Sequence, residues 1–145
     1  MRNTIYAILA SIALTTSVQA TQTTVESTIT PTETVALTPL QSEISKRLES
    51  LSTSSKADRQ RTKEIREWYE NRSYGSIWTK SGQPSAEAQE VIFSLMSAYE
   101  QGLIAADYQA EKLFGKLSSS TNQSVADFEI SLSLAAVTFG QHLFS

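Results

Sequence analysis

Apolar residues recur at helical spacing through most of residues 38–145, and this pattern predicts an all-α fold. The first stripe has spacings of four, four and three positions, which place its members on one helix face. Its members are Leu40, Ile44, Leu48 and Leu51. Thr38 can cap this helix, and Pro39 suits its first helical position. The sequence therefore predicts that the folded part begins at Thr38.

A second helix is predicted at about residues 58–72, with Asp58 as its cap. Tyr74-Gly75 ends this helical run, and residues 76–80 read as a short extended segment around Ile77 and Trp78. The region after the second helix is thus the one place where we expect extended backbone.

Ser85 is expected to open the third helix, and Gly102 to end it as a left-handed cap, with Leu103 as the apolar partner of that cap. The predicted buried face is broad and consists of Val91, Ile92, Leu95, Met96 and Tyr99. This combination is the clearest helix stop in the chain.

Two more helices complete the predicted bundle, a short one over residues 111–117 and a long one that starts at Ser124. Asp127 stands three residues after Ser124, the position of a capping-box acid. The long helix has two apolar stripes: Phe128, Leu132, Ala135, Phe139 and Leu143 form one, and Ile130, Leu134 and Val137 form the other. Because both stripes need partners, we expect this helix at the centre of a small bundle of four to five helices.

The first 37 residues differ from the rest in composition. Arg2 precedes an apolar run from Ile5 to Leu14, and Val18-Gln19-Ala20 has the small residues of a cleavage site, so residues 1–20 are predicted to be a signal peptide. Residues 21–37 are rich in threonine and poor in large apolar side chains, which favours a disordered linker. Once the signal peptide is removed, no stable membrane anchor is expected.

Cysteine is absent and His142 is the only histidine, which excludes disulfides, thiol nucleophiles and most zinc sites. Without Arg2 the chain has eleven basic and fifteen acidic residues, a net charge of −4, which does not favour nucleic acid as a partner. A small exported domain without disulfides is unusual for a eukaryote. These features together predict the periplasm of a Gram-negative bacterium and no cofactor.

Four aromatic residues stand close together and are the candidate contact residues for a glycan or a partner protein: Trp68, Tyr69, Tyr74 and Trp78. The alternative is that they clamp the second helix to the core, because large aromatic side chains dominate small cores. The sequence leaves both interpretations open and favours the second.

Other chemistry-bearing residues have ordinary structural interpretations. His142 has no partner motif and is expected to be a partly buried or cap-adjacent histidine. Glu67 with Glu70, and Glu87 with Glu90, are carboxylate pairs of the kind that a glycosidase uses, although pairs on one helix are usually solvated. The basic residues at 56–66 alternate with acids, which favours a charged helix face over an anion-binding patch.

Three stretches resemble the scaffold domain of murein L,D-transpeptidases. In residues 65–79 a helix leads into Tyr74-Gly75-Ser76-Ile77-Trp78-Thr79, which is similar to the family's tyrosine followed, a few residues later, by an apolar residue, tryptophan and threonine. Residues 102–108 are similar to the family's Gly-Leu-x-Pro-Ala-Asp-Tyr. Residues 127–144 resemble the last scaffold helix, through the stretches Glu129-Ile130-Ser131-Leu132-Ser133 and Phe139-Gly140-Gln141-His142. The chain departs from this pattern at Ala105, where the family has proline.

The resemblance implies a helical domain at residues 38–145, incomplete at its C-terminus, that supports a catalytic domain in peptidoglycan cross-linking. The family's catalytic cysteine has no counterpart here, so no catalytic residue is carried over and the chain alone is expected not to be an enzyme. Its expected partners are the L,D-transpeptidase catalytic domain and peptidoglycan. The alternative is a free-standing periplasmic module that binds peptidoglycan or another protein, and an enzyme that uses carboxylates alone is a third possibility.

Overall fold

A computed structural model describes residues 36–116 and 121–144. Within these ranges five α-helices follow one another: α1 (Pro39–Glu49), α2 (Lys56–Glu70), α3 (Ala86–Met96), α4 (Ala110–Lys116) and α5 (Asn122–Leu143). Between them lie two 3₁₀ helices, Ala98–Gln101 and Ala105–Tyr108, and the strands β1 (Thr79–Lys80) and β2 (Gln83–Pro84). The all-α prediction is confirmed, and the predicted signal peptide lies outside the described residues, as does nearly all of the predicted linker.

The helix α1 begins where the sequence predicts. The Thr38 side chain accepts a hydrogen bond from the Gln41 backbone, and the Gln41 side chain accepts one from the Thr38 backbone, which completes a capping box. Ile44 and Leu48 are buried, and Leu40 and Leu51 pack partly buried beside them. The predicted stripe is therefore the face that α1 turns toward the core.

The helix α2 begins before the predicted position. Ser55 is its N-cap, and Asp58 is the third helical residue, whose carboxylate accepts the Ser55 backbone N–H at 3.2 Å. Asp58 is thus not the cap that the sequence predicted, because the hydroxyl of Ser55 takes that role and Asp58 completes the box from inside the helix.

The extended segment near Trp78 is confirmed as β1, which pairs antiparallel with β2 so that Thr79 lies opposite Pro84 and Lys80 opposite Gln83. The reversal between them uses Ser81 and Gly82, both with positive φ. Ser85 then caps α3 by accepting the Ala88 backbone N–H at 3.2 Å.

The left-handed cap predicted at Gly102 is confirmed as a Schellman motif, but it closes the 3₁₀ helix Ala98–Gln101, whereas α3 itself already ends at Met96. Gly102 has φ 74°, its N–H donates to the Tyr99 carbonyl, and the Leu103 N–H donates to the Ala98 carbonyl. The buried face of α3 is narrower than predicted, since Met96 and Tyr99 are exposed. The chain tightens from α-helical to 3₁₀ geometry after Met96, which changes the direction of the side chains that follow.

The helix α5 contacts each of the other four helices, so its predicted central place is confirmed. Both stripes are largely buried, although Leu134 and Leu143 remain partly exposed. Its N-cap is Thr121, not Ser124, because the Thr121 side chain accepts the Ser124 backbone N–H. Asp127 is not a capping-box acid either, since its carboxylate accepts hydrogen bonds from Arg47 and Lys116.

None of the helices in the described ranges has both the length and the apolar character that crossing a membrane would require.

Candidate functional site

A buried carboxylate, Glu129 on α5, is the centre of a polar network inside the bundle. Its side chain is 0% exposed. One oxygen accepts the Thr79 hydroxyl at 2.7 Å and the Trp78 backbone N–H at 3.0 Å, and the other accepts the Ile77 backbone N–H at 2.9 Å. The second oxygen also accepts the Tyr69 hydroxyl at 2.8 Å. One side chain thus fastens both α2 and the extended segment to α5.

Ser133 lies one helical turn beyond Glu129 and extends the network. Its hydroxyl accepts the Trp78 indole N–H at 2.7 Å and lies 3.1 Å from the Tyr69 hydroxyl. Tyr69 donates to Glu129, so Ser133 can donate to the Tyr69 oxygen while it accepts from Trp78. Every polar atom of the two aromatic side chains is then satisfied, as burial demands.

The electrostatics of the network favour a protonated tyrosine. Burial raises the pKa of Tyr69 well above its ordinary value of 10.0, and the charge of Glu129 raises it further. A protonated Tyr69 is a hydrogen-bond donor to the carboxylate across the physiological range. The network is thus built to hold two helices and a strand together.

The four candidate aromatic residues divide into two pairs. Tyr69 and Trp78 are each 0% exposed. Trp68 and Tyr74 are partly buried and pack against the core cluster that contains Tyr69. Any contact with a glycan or a partner protein, which stays a prediction, would have to involve the exposed parts of Trp68 and Tyr74.

Tyr74 lies in a strained turn. Ser73 and Tyr74 have φ of 50° and 61°, which lie in the left-handed region that residues other than glycine rarely adopt. The turn is held by the Tyr74 backbone N–H, which donates to the Tyr69 carbonyl at 2.7 Å. This turn directs the backbone from the end of α2 into the extended segment that Glu129 binds.

The remaining candidates occupy other places. His142 is exposed, and its Nδ1 lies 2.8 Å from the Tyr108 hydroxyl. The ring of Tyr108 packs edge-on against Phe139. Burial raises the pKa of Tyr108, and the nearby Asp107 charge adds to the shift. Glu67, Glu70, Glu87 and Glu90 are all exposed on helix surfaces. Among residues 36–116 and 121–144, no cluster of histidine and carboxylate side chains is arranged to hold a metal ion.

A second polar region is an open groove of about 520 Å³ between α1 and the start of α5. Arg47 crosses it to Asp127 at 2.8 Å, and Lys116 donates to the other oxygen of Asp127. Burial opposes ionisation of Asp127, but hydrogen bonds from Lys116 and Arg47 outweigh it, so the pKa of Asp127 is lowered. This region is a half-exposed ion cluster that joins three helices.

Sequence reasoning missed Glu129 and Ser133 as site residues. The available signal was a pair of polar residues four positions apart on a helix that is otherwise apolar on that side. Such a pair, on a helix expected at the centre, has to be buried and therefore hydrogen-bonded. Which donors it meets depends on segments that are about fifty residues away in the chain.

A family model described as Scaffold domain matches residues 63–145, which is more than half of the chain. The chain belongs to the Scaffold domain family. The matched range contains Tyr69, Trp78, Glu129 and Ser133, so the whole Glu129 network lies within the family's domain. No curated protein and no solved structure matches the chain.

Proposed function

We propose that this chain is the non-catalytic scaffold of a periplasmic L,D-transpeptidase system that cross-links peptidoglycan. Its role would be to support and position a catalytic domain. Membership in the Scaffold domain family supports the structural part of this proposal. The transpeptidase part rests on the three sequence stretches that resemble the scaffold of those enzymes.

The observation that carries the proposal is that these stretches contact one another. Trp78 and Thr79, from the first stretch, donate to Glu129 and Ser133 in the third. Tyr108, from the second stretch, hydrogen-bonds His142 in the third. The residues that carry the resemblance therefore hold the helices together, as a supporting domain requires.

The chemistry of the chain supports a non-catalytic role. Transfer of a peptidoglycan stem peptide through an acyl-enzyme needs a thiolate and a nearby base, and the sequence has no cysteine. The carboxylate at the centre of the buried network, Glu129, has no exposed surface on which a substrate could bind. The thiol step is thus assigned to the catalytic domain that the scaffold supports.

The test combines the purified chain with an L,D-transpeptidase catalytic domain that has been freed of its own scaffold. We expect the chain to raise the melting temperature and the cross-linking rate of that domain, with muropeptide products followed by mass spectrometry. The chain alone is expected to form no cross-links. Cross-links formed by the chain alone, or a catalytic domain that is equally stable and active with and without it, would refute the proposal.

The alternative is a free-standing periplasmic module that binds peptidoglycan or another protein, and the strained turn at Tyr74 favours it. Backbone strain clusters at binding sites, and Trp68 and Tyr74 retain exposed surface beside this turn. Co-sedimentation with isolated murein sacculi tests it. Binding that is lost in Trp68→Ala but kept in Leu37→Ser, a control at another exposed apolar position, would favour the module. Trp78→Ala is unsuitable because Trp78 is a core residue.

The periplasmic location is part of the same proposal and depends on the predicted signal peptide at residues 1–20. Fractionation of cells that express the whole chain checks it directly. Recovery of a shortened protein in the periplasmic fraction, and its loss when Ile5–Leu14 is deleted, is the expected outcome. A full-length protein that stays with the cytoplasmic fraction would contradict it.

A further inference from the structure

An exposed apolar ridge runs along α3 and the turn that follows it. Four large side chains form this ridge: Phe93 is 59% exposed, Met96 38%, Tyr99 69% and Ile104 65%. Single exposed apolar side chains are ordinary, whereas four large ones within residues 93–104 give a candidate interaction surface. Neither the buried Glu129 network nor the groove at Asp127 includes any of these residues.

The backbone beneath the ridge is fixed by hydrogen bonds. The opposite face of α3 is anchored in the core by Val91, Ile92 and Leu95. The Schellman motif at Gly102 then holds the chain reversal, and the Asp107 N–H donates to the Ile104 carbonyl at 3.1 Å. Because the ridge is built on this ordered backbone, a partner would lose little free energy in ordering it.

The stretch of sequence that carries the ridge is acidic. Between Lys80 and Lys112 the sequence has no lysine or arginine and no histidine. The same stretch has five exposed carboxylates, at Glu87, Glu90, Glu100, Asp107 and Glu111. Lys80 interacts electrostatically with Glu87 at the start of this stretch, so the acidic character belongs to the other four carboxylates. The ridge is therefore apolar and lies in a stretch of negative net charge.

We propose that the ridge docks an amphipathic helix of a partner protein, with an apolar stripe that is flanked by lysine or arginine. The stripe would cover the exposed side chains, and the flanking cations would meet the carboxylates. An anionic membrane is disfavoured because its charge has the same sign as that of the ridge. A second copy is disfavoured because a two-fold contact would place the acidic borders against each other.

The proposal uses only exposure and charge, so it does not depend on the transpeptidase assignment. Its test uses two synthetic helical peptides that share one leucine stripe, one with lysine at the flanking positions and one with glutamate. Binding to the purified chain is followed by fluorescence anisotropy of labelled peptide. We expect the lysine peptide to bind at least about tenfold more tightly than the glutamate peptide, with an affinity that falls as salt is added.

Variants of the chain locate the binding surface. Tyr99→Ser and Ile104→Ser should each weaken binding of the lysine peptide by about tenfold or more, and Glu100→Lys should weaken it and reduce its salt dependence. Leu37→Ser, at another exposed apolar position, and Glu67→Lys, on α2, are the matched controls and should leave binding unchanged. Circular dichroism verifies that each variant is folded.

Several outcomes would overturn the proposal. Equal binding of the two peptides, no binding of either, or binding that Tyr99→Ser and Ile104→Ser leave intact would each do so. Self-association in sedimentation velocity that Ile104→Ser abolishes would assign the ridge to a second copy instead. Co-sedimentation with phosphatidylglycerol vesicles that the same variant abolishes would assign it to a membrane.

Discussion

The indole N–H of Trp78 donates to the hydroxyl of Ser133 at 2.7 Å, although the two residues lie far apart in the sequence. Trp78 is 0% exposed, and Ser133 faces the interior of the bundle from the middle of α5. A buried indole needs such an acceptor, because a buried N–H without a partner costs about 1–3 kcal/mol. The bond therefore fixes the position of the extended segment against α5.

The contact between Trp78 and Ser133 should be visible as coupling in a double-mutant cycle. Ser133→Ala leaves the indole N–H without its acceptor and should destabilise the fold by about 1–3 kcal/mol. Trp78→Phe removes the donor, so the double variant should be less destabilised than the sum of the single variants by about 1 kcal/mol. Urea unfolding followed by circular dichroism measures all three. Trp68→Phe with Ser133→Ala is the control pair, and equal coupling in both cycles would contradict the assignment.

Glu129 should be the most sensitive single position of the bundle. Glu129→Ala removes the acceptor of three buried donors, from Tyr69, Trp78 and Thr79, and of one part-buried donor, the Ile77 backbone N–H. At about 1–3 kcal/mol for each unsatisfied group, the loss approaches the whole stability of a small domain. We expect this variant not to fold.

Glu129→Gln is a smaller change at the same position. The amide keeps the shape of the side chain but replaces one acceptor with an additional donor, so we expect a loss of about 2–3 kcal/mol in the free energy of unfolding. Glu67→Gln, at an exposed position of α2, is the matched control and should change the stability by less than about 0.5 kcal/mol. A Glu129→Gln variant as stable as this control would show that the network contributes little.

Two glycines should respond to alanine in opposite directions. Gly102 has φ 74°, where alanine is strained whatever space surrounds it, so Gly102→Ala should destabilise by about 1 kcal/mol. Gly115 lies within α4 with nothing near its missing Cβ, so Gly115→Ala should stabilise by about 0.5–1 kcal/mol. Thermal unfolding of the two variants gives the comparison. A Gly102→Ala variant that is as stable as the wild type or more stable would refute the assignment of Gly102 as a left-handed cap.

The ion cluster at Asp127 should make stability depend on acid pH. Its pKa in the fold is below its ordinary value of 3.8, so the folded chain binds fewer protons at this group than the unfolded chain. The stabilisation is therefore present above pH 3.8 and is lost as the pH falls through the lower folded value. Because the carboxylate is half-exposed, we expect the effect to stay below about 1 kcal/mol.

Asp127→Asn checks this dependence. The variant should be less stable than the wild type at pH 7, and the difference should shrink toward pH 2, because Asp127 loses its charge as the pH falls through its lowered pKa. Urea midpoints at the two pH values provide the measurement, and added salt should reduce the difference at pH 7. A difference that is the same at both pH values would assign the effect to packing instead of charge.

Local rules predicted the helices well because their signals lie within a few residues. The N-cap at Thr38, the N-cap at Ser85 and the left-handed glycine at Gly102 depend on the backbone of one turn, and all three are confirmed. The errors at Asp58 and Ser124 have the same origin. Ser55 and Thr121 are equally good caps a few residues earlier, and local chemistry alone does not rank such neighbours.

The amino-acid order thus established an all-α chain with a central last helix, because apolar spacing and end signals act over short distances. The meeting of Glu129 and Ser133 with Tyr69 and Trp78 was settled by packing in three dimensions. A polar residue on an apolar helix indicates that a partner must exist, but its identity depends on which distant segment the fold brings within hydrogen-bond distance. The same holds for the ridge at Tyr99, since a 3₁₀ turn after α3 left exposed a face that helical periodicity had predicted to be buried.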